Sequence, residues 1–264
     1  MTCYFHHNEK IYFEHQKLTT KNFIIPFIEK SLKINRKIKV VDIGCGFGGS
    51  IQPFMEIGCS VVGVDLDKER LLAAKGLLDV NQPKQNIKLL NIDITKENFQ
   101  KEFSHNFDLI ILKDTIEHVE KKHIFIGHIL NIIKPNGKIF ICFPPWHMPF
   151  GGHQQGCQSR ILSRLPYFHL LPVFLYKLML NIFNEDQDLI SRLLRIKHDG
   201  ISIDAFEKIL DSNNLKIVEK ELFLINPIYK YKFGLKVRKQ FKIVRSVPIL
   251  RDFFTTSIYY LVSK

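Results

Sequence analysis

Val40-Val41-Asp42-Ile43-Gly44-Cys45-Gly46-Phe47-Gly48-Gly49 decides how the fold of this 264-residue chain is read. An apolar run ends on an aspartate and turns through glycines. Such a turn lets backbone approach a ligand closely and opens a helix whose N-terminus attracts anions. Two glycine patterns fit it. Gly44, Gly46 and Gly49 form a GxGxxG dinucleotide fingerprint, with Asp65 ending the next apolar run about 20 residues on, where a ribose ligand belongs. Asp42, Gly44, Gly46 and Gly48 form DxGxGxG instead. A turn that needs positive φ and holds no ligand is a third reading.

Working outward, short runs rich in Val, Ile, Leu and Phe predict strands at 38–43, 60–65, 87–92, 107–112 and 138–143. Strands this apolar are buried on both faces, as in a parallel sheet. Helical patterns fall between them, most clearly at 67–80 and at 117–133, the latter stopped by Pro135-Asn136-Gly137. Asp67 is a favoured N-cap for the first of these. Ahead of the sheet, 19–32 predicts an amphipathic helix begun by Thr19 and Thr20, with Phe23, Ile24, Phe27 and Ile28 on one face. The alternation breaks after the fifth strand and resumes with a helix at 203–211 and strands at 215–223 and 255–262. The expected architecture is α/β, a doubly wound, mostly parallel seven-stranded sheet. It forms a single domain made of an N-terminal helical segment (1–37), a core (38–145), an inserted helical cap (146–200) and a C-terminal completion of the sheet (201–264).

Hydrophobic residues make up 45% and charged residues 24%, which supplies a full core and excludes disorder. The formal net charge is +12, and residues 226–264 hold nine bases against one acid, so the basic character belongs mainly to the tail. That tail suits phosphates, nucleic acid or anionic lipid, or is simply a solvated cationic surface. Cys3, Cys45, Cys59, Cys142 and Cys157 form no CxxC pair, which predicts reduced thiols and a cytoplasmic location. The N-terminus lacks the apolar run of a secretory signal, and no stretch is long and apolar enough to predict a spanning helix.

Motifs in order along 38–145 carry a resemblance. They are Val40 to Gly46, Val64-Asp65, Asn91-Ile92-Asp93-Ile94, Phe107-Asp108-Leu109-Ile110 with Asp114-Thr115-Ile116-Glu117-His118-Val119, and Ile133 to Lys138. This pattern resembles the class I S-adenosylmethionine-dependent methyltransferases, in particular the small-molecule group that includes the ubiquinone-biosynthesis O-methyltransferases. The resemblance implies a Rossmann-like methyltransferase fold whose last two strands are antiparallel, S-adenosyl-L-methionine as cofactor, and methyl transfer to a small molecule, on oxygen. It also implies roles. Gly44, Cys45 and Gly46 receive the methionine part, with Asp42 holding the loop or the amino group. Asp65 accepts the ribose hydroxyls. Leu66 flanks the adenine, and Asp93 with Ile94 binds and packs the base. Two other classes stay open: an NAD(P)-dependent oxidoreductase, and a noncatalytic protein of this fold whose tail binds RNA or lipid.

For acceptor chemistry the loop after the fourth strand offers Asp114, Glu117 and His118. Asp114-x-x-Glu117 is equally the spacing of a capping box. In the ubiquinone-type enzymes the corresponding ExxEH carboxylates and histidine are associated with a divalent cation. This chain departs from that pattern with Asp114, and no metal is expected. The second region, Phe143 to Gln155, follows the fifth strand and concentrates His147 and His153 among stiffening prolines. Either histidine suits a general base, and either suits a structural role. Pro144-Pro145-Trp146 resembles the NPPY segment of nucleic-acid methylases, but that segment follows strand four, so nucleic acid is not the expected substrate. Residues 167–183 are strongly apolar. They fit a pocket for an aromatic or lipid-like acceptor, a cap packed on the core, or a peripheral contact with a membrane surface. His198-Asp199-Gly200 reads as a linker.

Overall fold

The computed structural model describes residues 8–78, 87–94 and 96–264. It opens with α1 (Glu9–Thr19), a wider π turn (Thr20–Ile24) and α2 (Ile25–Ile28), which form one continuous helical stretch. The expected start at the threonine pair is therefore corrected: Asn8 caps α1 by accepting from the Ile11 N–H at 3.1 Å. The widening has a local cause. Pro26 brings no N–H for Asn22 and its ring crowds that carbonyl, so the turn before it opens.

The core then runs β1 (Lys39–Ile43), α3 (Gln52–Ile57), β2 (Ser60–Val64), α4 (Lys68–Leu77), β3 (Ile87–Leu90), α5 (Glu97–Phe103), β4 (Phe107–Lys113), α6 (Lys122–Ile132) and β5 (Ile133–Phe143). Asp67 caps α4 as expected, accepting from the N–H groups of Glu69 and Arg70 at 3.0 and 3.1 Å. The end expected for that helix, at Val80, lies outside the described residues. The helix expected at 117–133 divides: Ile116–His118 is one 3-10 turn, and α6 starts only at Lys122. Pro135-Asn136-Gly137 does not end a helix but bulges out of the early part of β5, where the pairing jumps from Phe107↔Ile133 to Leu109↔Lys138.

After β5 come three 3-10 turns, then α7 (Val173–Ile182) and α8 (Gln187–Asp199), which form the cap. The supposed linker residues His198 and Asp199 are the last two residues of α8. The chain closes with α9 (Ile203–Ser212), β6 (Lys216–Ile225), α10 (Tyr229–Phe233), β7 (Arg238–Lys239), α11 (Lys242–Ser246), α12 (Leu250–Phe254) and β8 (Ser257–Ser263).

The strands make one sheet in the order β3-β2-β1-β4-β5-β8-β6-β7, parallel from β3 to β5 and antiparallel beyond. The mostly parallel expectation holds, with eight strands rather than seven. The extra strand, β7, is two exposed basic residues on the edge, too short and too polar to show a strand pattern in sequence. Separate apolar clusters cover the two faces of the sheet, one built with α5, α6 and α9 and the other with α1 to α4. The cap has a third cluster of its own, from Cys157 and Leu162 through Tyr176 and Leu180 to Ile196.

Candidate active site

Strand order reverses between β1 and β4, and ligands of open α/β sheets bind at the carboxyl ends of strands at such a switch point. The glycine turn sits there. Gly44, Gly46 and Gly48 have φ of 80°, 52° and 81°, the left-handed region that glycine enters without strain. The N–H groups of Gly44 and Cys45 donate to the Val64 carbonyl at 2.8 and 3.1 Å, which ties the turn to the end of β2. Asp65 completes the tie. One of its oxygens accepts from the Gly46 N–H at 2.7 Å and the other from the Asp67 N–H at 2.9 Å. A Cβ on Gly46 would meet nothing within 4 Å, so the volume over the turn is open to a ligand.

Asp42 lies buried beneath the turn and accepts from the Ser50 hydroxyl. Burial pushes its carboxyl up to about 7, against the opposing pull of Ser50 and Lys113. The cleft above is walled by residues that the motif reading passed over. α1 contributes Tyr12 and Gln16, α4 contributes Arg70, and β4 ends on Lys113 beside Asp114. The Arg70 guanidinium lies 5.9 Å from the centre of the Phe47 ring, whose other neighbour is Tyr12.

The remaining residues expected to hold the cofactor stand along the same carboxyl edge. Leu66 follows β2 and is 72% exposed, an unpaid apolar surface that a flat ring would cover. Asn91 fixes that loop by donating to the carbonyls of Asp65 and Leu66, each at 2.9 Å. Asp93 follows β3 partly buried, and Ile94 beside it is buried in the core.

In the loop after β4, Asp114 has φ 52° and does not cap the helix that follows, so the capping-box alternative falls. Its carboxylate instead meets the Lys113 ammonium at 2.5 Å. Burial works to raise the Asp114 pKa, but Lys113 holds it below the usual carboxylate range. Burial likewise disfavours the charged lysine, and Asp114 reverses that and raises its pKa. Glu117 is 4% exposed, and neither of its oxygens has a hydrogen-bond partner among the described residues. Burial and the charge of Asp114 push its pKa well above the usual carboxylate range.

Two histidines far apart in sequence come together here. The rings of His118 and His153 stand edge to face with centroids 5.1 Å apart. Desolvation lowers the His118 pKa against the pull of Asp114 and Asp199, so this ring is neutral at pH 7. His147 lies elsewhere: its Nδ1 is 2.9 Å from buried Asp252, its ring stacks on Phe253, and Asp252 also accepts from the Ile203 N–H at 3.0 Å. Glu117, His118 and His153 offer ligand atoms within 4.8 Å of one another. Two imidazoles and one carboxylate match the three protein ligands of a catalytic zinc site, which leaves its fourth position to water. Asp114, the loop's first carboxylate, pairs with Lys113 and stands outside this group of three.

The comparisons with known proteins agree with this geometry. The model of a family described as a methyltransferase domain matches residues 13–220. The ubiquinone biosynthesis O-methyltransferase of Pelagibacter ubique is 34% identical over 121 residues, covering 46% of this chain and 47% of that protein. The mitochondrial ubiquinone biosynthesis O-methyltransferase of Dictyostelium discoideum is 36% identical over 110 residues, 39% of this chain and 34% of that protein. The chain thus spans less than half the length of these curated relatives. In fold it is similar to the plantazolicin methyltransferase in complex with a triazolic desmethylPZN analog and SAH (TM-score 0.57, 13% identity, 98% of this chain and 92% of that one). It is also similar to geranyl diphosphate C-methyltransferase from Streptomyces coelicolor (TM-score 0.55, 12% identity, 90% and 77%). With the family model spanning most of the chain and the sheet order and glycine turn in place, the chain belongs to the methyltransferase domain family, in the S-adenosylmethionine-dependent class that its ordered motifs resemble.

Proposed function

We propose that the protein transfers a methyl group from S-adenosylmethionine to an oxygen of a small, aromatic or lipid-like acceptor. The observation that carries this reading is the left-handed glycine turn bonded to Asp65, opening on a cleft closed by Lys113 and Asp114 at the switch point. Gly44, Cys45 and Gly46 receive the methionine part of the cofactor, over Asp42. Asp65 keeps lone pairs for the ribose beyond those taken by the Gly46 and Asp67 N–H groups. Leu66 covers one face of the adenine, and Asp93 with Ile94 borders its edge.

The sulfonium methyl is already electrophilic, so the protein aligns the acceptor and removes its proton. Alignment alone lowers the barrier by several kcal/mol. His153 and His118 form the base: the pair stands just beyond Asp114, and the neutral His118 ring accepts a proton at pH 7. His147, held by Asp252, positions the loop that carries His153. A lipid-like acceptor is supported by α7, which shows Val173, Phe174, Leu178 and Ile182 to the outside and suits peripheral contact with a membrane.

Calorimetric titration with S-adenosylmethionine, S-adenosylhomocysteine and NAD tests the reading. The first two are expected to bind and NAD is not. Binding of NAD alone would overturn the methyltransferase reading.

A further inference from the structure

α1 lies outside the motifs of 38–145, yet it walls one side of the cofactor cleft with Tyr12, Phe13 and Gln16. Gly49 lets it come this close. A Cβ on Gly49 would stand 2.4 Å from the Phe13 carbonyl oxygen and 2.8 Å from the Gln16 Cβ, so the helix lies directly against the last glycine of the turn. That approach brings the Gln16 side chain to the cleft that Gly44, Cys45 and Gly46 also border, the three residues proposed above to receive the methionine part of the cofactor.

Gln16 is 8% exposed, and its Oε1 accepts no hydrogen bond among the described residues. Tyr12 stands four residues before it, one helical turn away on the same face of α1. Burial raises the Tyr12 pKa, and a hydrogen bond from the Gln16 amide to the phenol works against that rise. With the amide nitrogen committed to Tyr12, the oxygen is the end left without a partner. A buried carbonyl that meets no donor is costly, and the cleft is where a donor can enter.

S-adenosylmethionine carries three kinds of donor. The ribose hydroxyls fall to Asp65 and the adenine amine to Asp93, at their own points along the carboxyl edge, which leaves the ammonium of the methionine part. Asp42 also has an oxygen without a partner among the described residues, but it lies beneath the turn at 2% exposure and does not border the cleft.

We propose that Gln16 is a cofactor-binding residue: its Oε1 accepts from the ammonium of the methionine part, and the Tyr12 phenol orients the amide to do so. This inference rests on the methyltransferase reading above and adds to its cofactor site a residue from a helix outside the motifs. A carbonyl oxygen facing an ammonium makes a charge-assisted bond, stronger than a neutral one, and only a ligand that keeps its amino group can form it. The protein thereby tells the complete cofactor from a nucleoside thioether that lacks the amino-acid end.

The test is calorimetry on the full chain with S-adenosylhomocysteine, its deaminated analogue, which keeps the carboxylate, and 5′-methylthioadenosine, which lacks the amino-acid end. The unmodified protein is expected to bind S-adenosylhomocysteine about tenfold or more tightly than the deaminated analogue. Gln16→Met should weaken S-adenosylhomocysteine about tenfold, while neither of the other two ligands weakens by more than about twofold. Gln16→Asn keeps the amide but withdraws it by one methylene, and it should give the same selective loss if the Met variant folds poorly. Unchanged affinity of a folded variant for S-adenosylhomocysteine overturns the inference. So does a loss of equal size for all three ligands, because Gln16 would then serve only the packing of α1. Failure of S-adenosylhomocysteine to bind the unmodified protein would instead overturn the methyltransferase reading itself.

Discussion

Gly44 sits where a side chain has no room: a Cβ there would lie 2.4 Å from the Thr115 hydroxyl, which is itself bonded to the Ile43 carbonyl at 2.9 Å. Its φ of 80° adds a conformational cost of about 1–2 kcal/mol for any L side chain. Gly44→Ala should therefore destabilise the fold by about 2 kcal/mol or more and weaken S-adenosylhomocysteine more than tenfold, read by thermal unfolding and calorimetry. Retained affinity would detach the turn from the cofactor. Asp42 makes a different demand. Its folded carboxyl is raised to about 7, so folding favours the protonated form. That contribution is fully present below the unfolded value of about 4 and is lost as pH rises to about 7, roughly 4 kcal/mol over the span. Asp42→Asn keeps the neutral form at every pH and should flatten this part of the stability profile in urea titrations from pH 4 to 7.5. An unchanged slope would assign the pH dependence to other groups. Asp65 was legible in sequence because a strand end and a fixed spacing point to it. Lys113 was not, since nothing in the motif marks a lysine, although a lysine ending a buried apolar strand is the anomaly that would have found it.

At the scale of elements, β1, β2 and β4 followed directly from their composition, because buried parallel strands are apolar along their length. By contrast β3, on the sheet edge, has no buried residue, and β5 starts at Ile133, five residues before its apolar run. The N-terminal helix was misread because Thr19 and Thr20 look like a helix start, whereas both are buried inside a continuous stretch. The meeting of His118 with His153 was beyond reach, since only the return of the chain after β5 brings them together. The cap is held by a device of its own. Glu185 is 4% exposed and accepts from the N–H groups of Gln158 and Ser159, both at 2.8 Å. Glu185→Ala would leave two N–H groups unpaired, at about 1–3 kcal/mol each. Because the cap packs around its own apolar cluster, the damage should stay local. Hydrogen exchange should accelerate at least tenfold in 157–165 while S-adenosylhomocysteine affinity stays within about twofold. Uniform acceleration across the sheet would show that cap and core unfold as one.

Over the whole molecule, charge and exposed apolar surface combine in a way the residue counts only half revealed. The apolar stretch at 167–183 divides in the structure. Tyr176 and Leu180 are buried in the cap, while Phe174 is 70% exposed and Val173, Leu178 and Ile182 stand out with it. Hydrophobicity alone could not separate the two faces, because both are apolar and only the cap's own packing decides which one is covered. The tail adds Phe241, Ile243 and Ile249, all exposed, to a segment with nine bases and one acid. No helix of the described residues is long and apolar enough to cross a membrane. Apolar side chains that insert beside lysines and arginines favour anionic bilayers, each base near the surface adding about 1 kcal/mol. The protein should therefore sediment with phosphatidylglycerol vesicles and not with phosphatidylcholine vesicles, and added salt should weaken the binding as it screens the charges. Phe174→Asp with Leu178→Asp should lower the binding at least fivefold without altering S-adenosylhomocysteine affinity, since neither residue borders the cofactor cleft. Equal binding to both vesicle types, or binding indifferent to the two aspartates, would return α7 to the role of a plain cap and leave the acceptor to reach the site from solution.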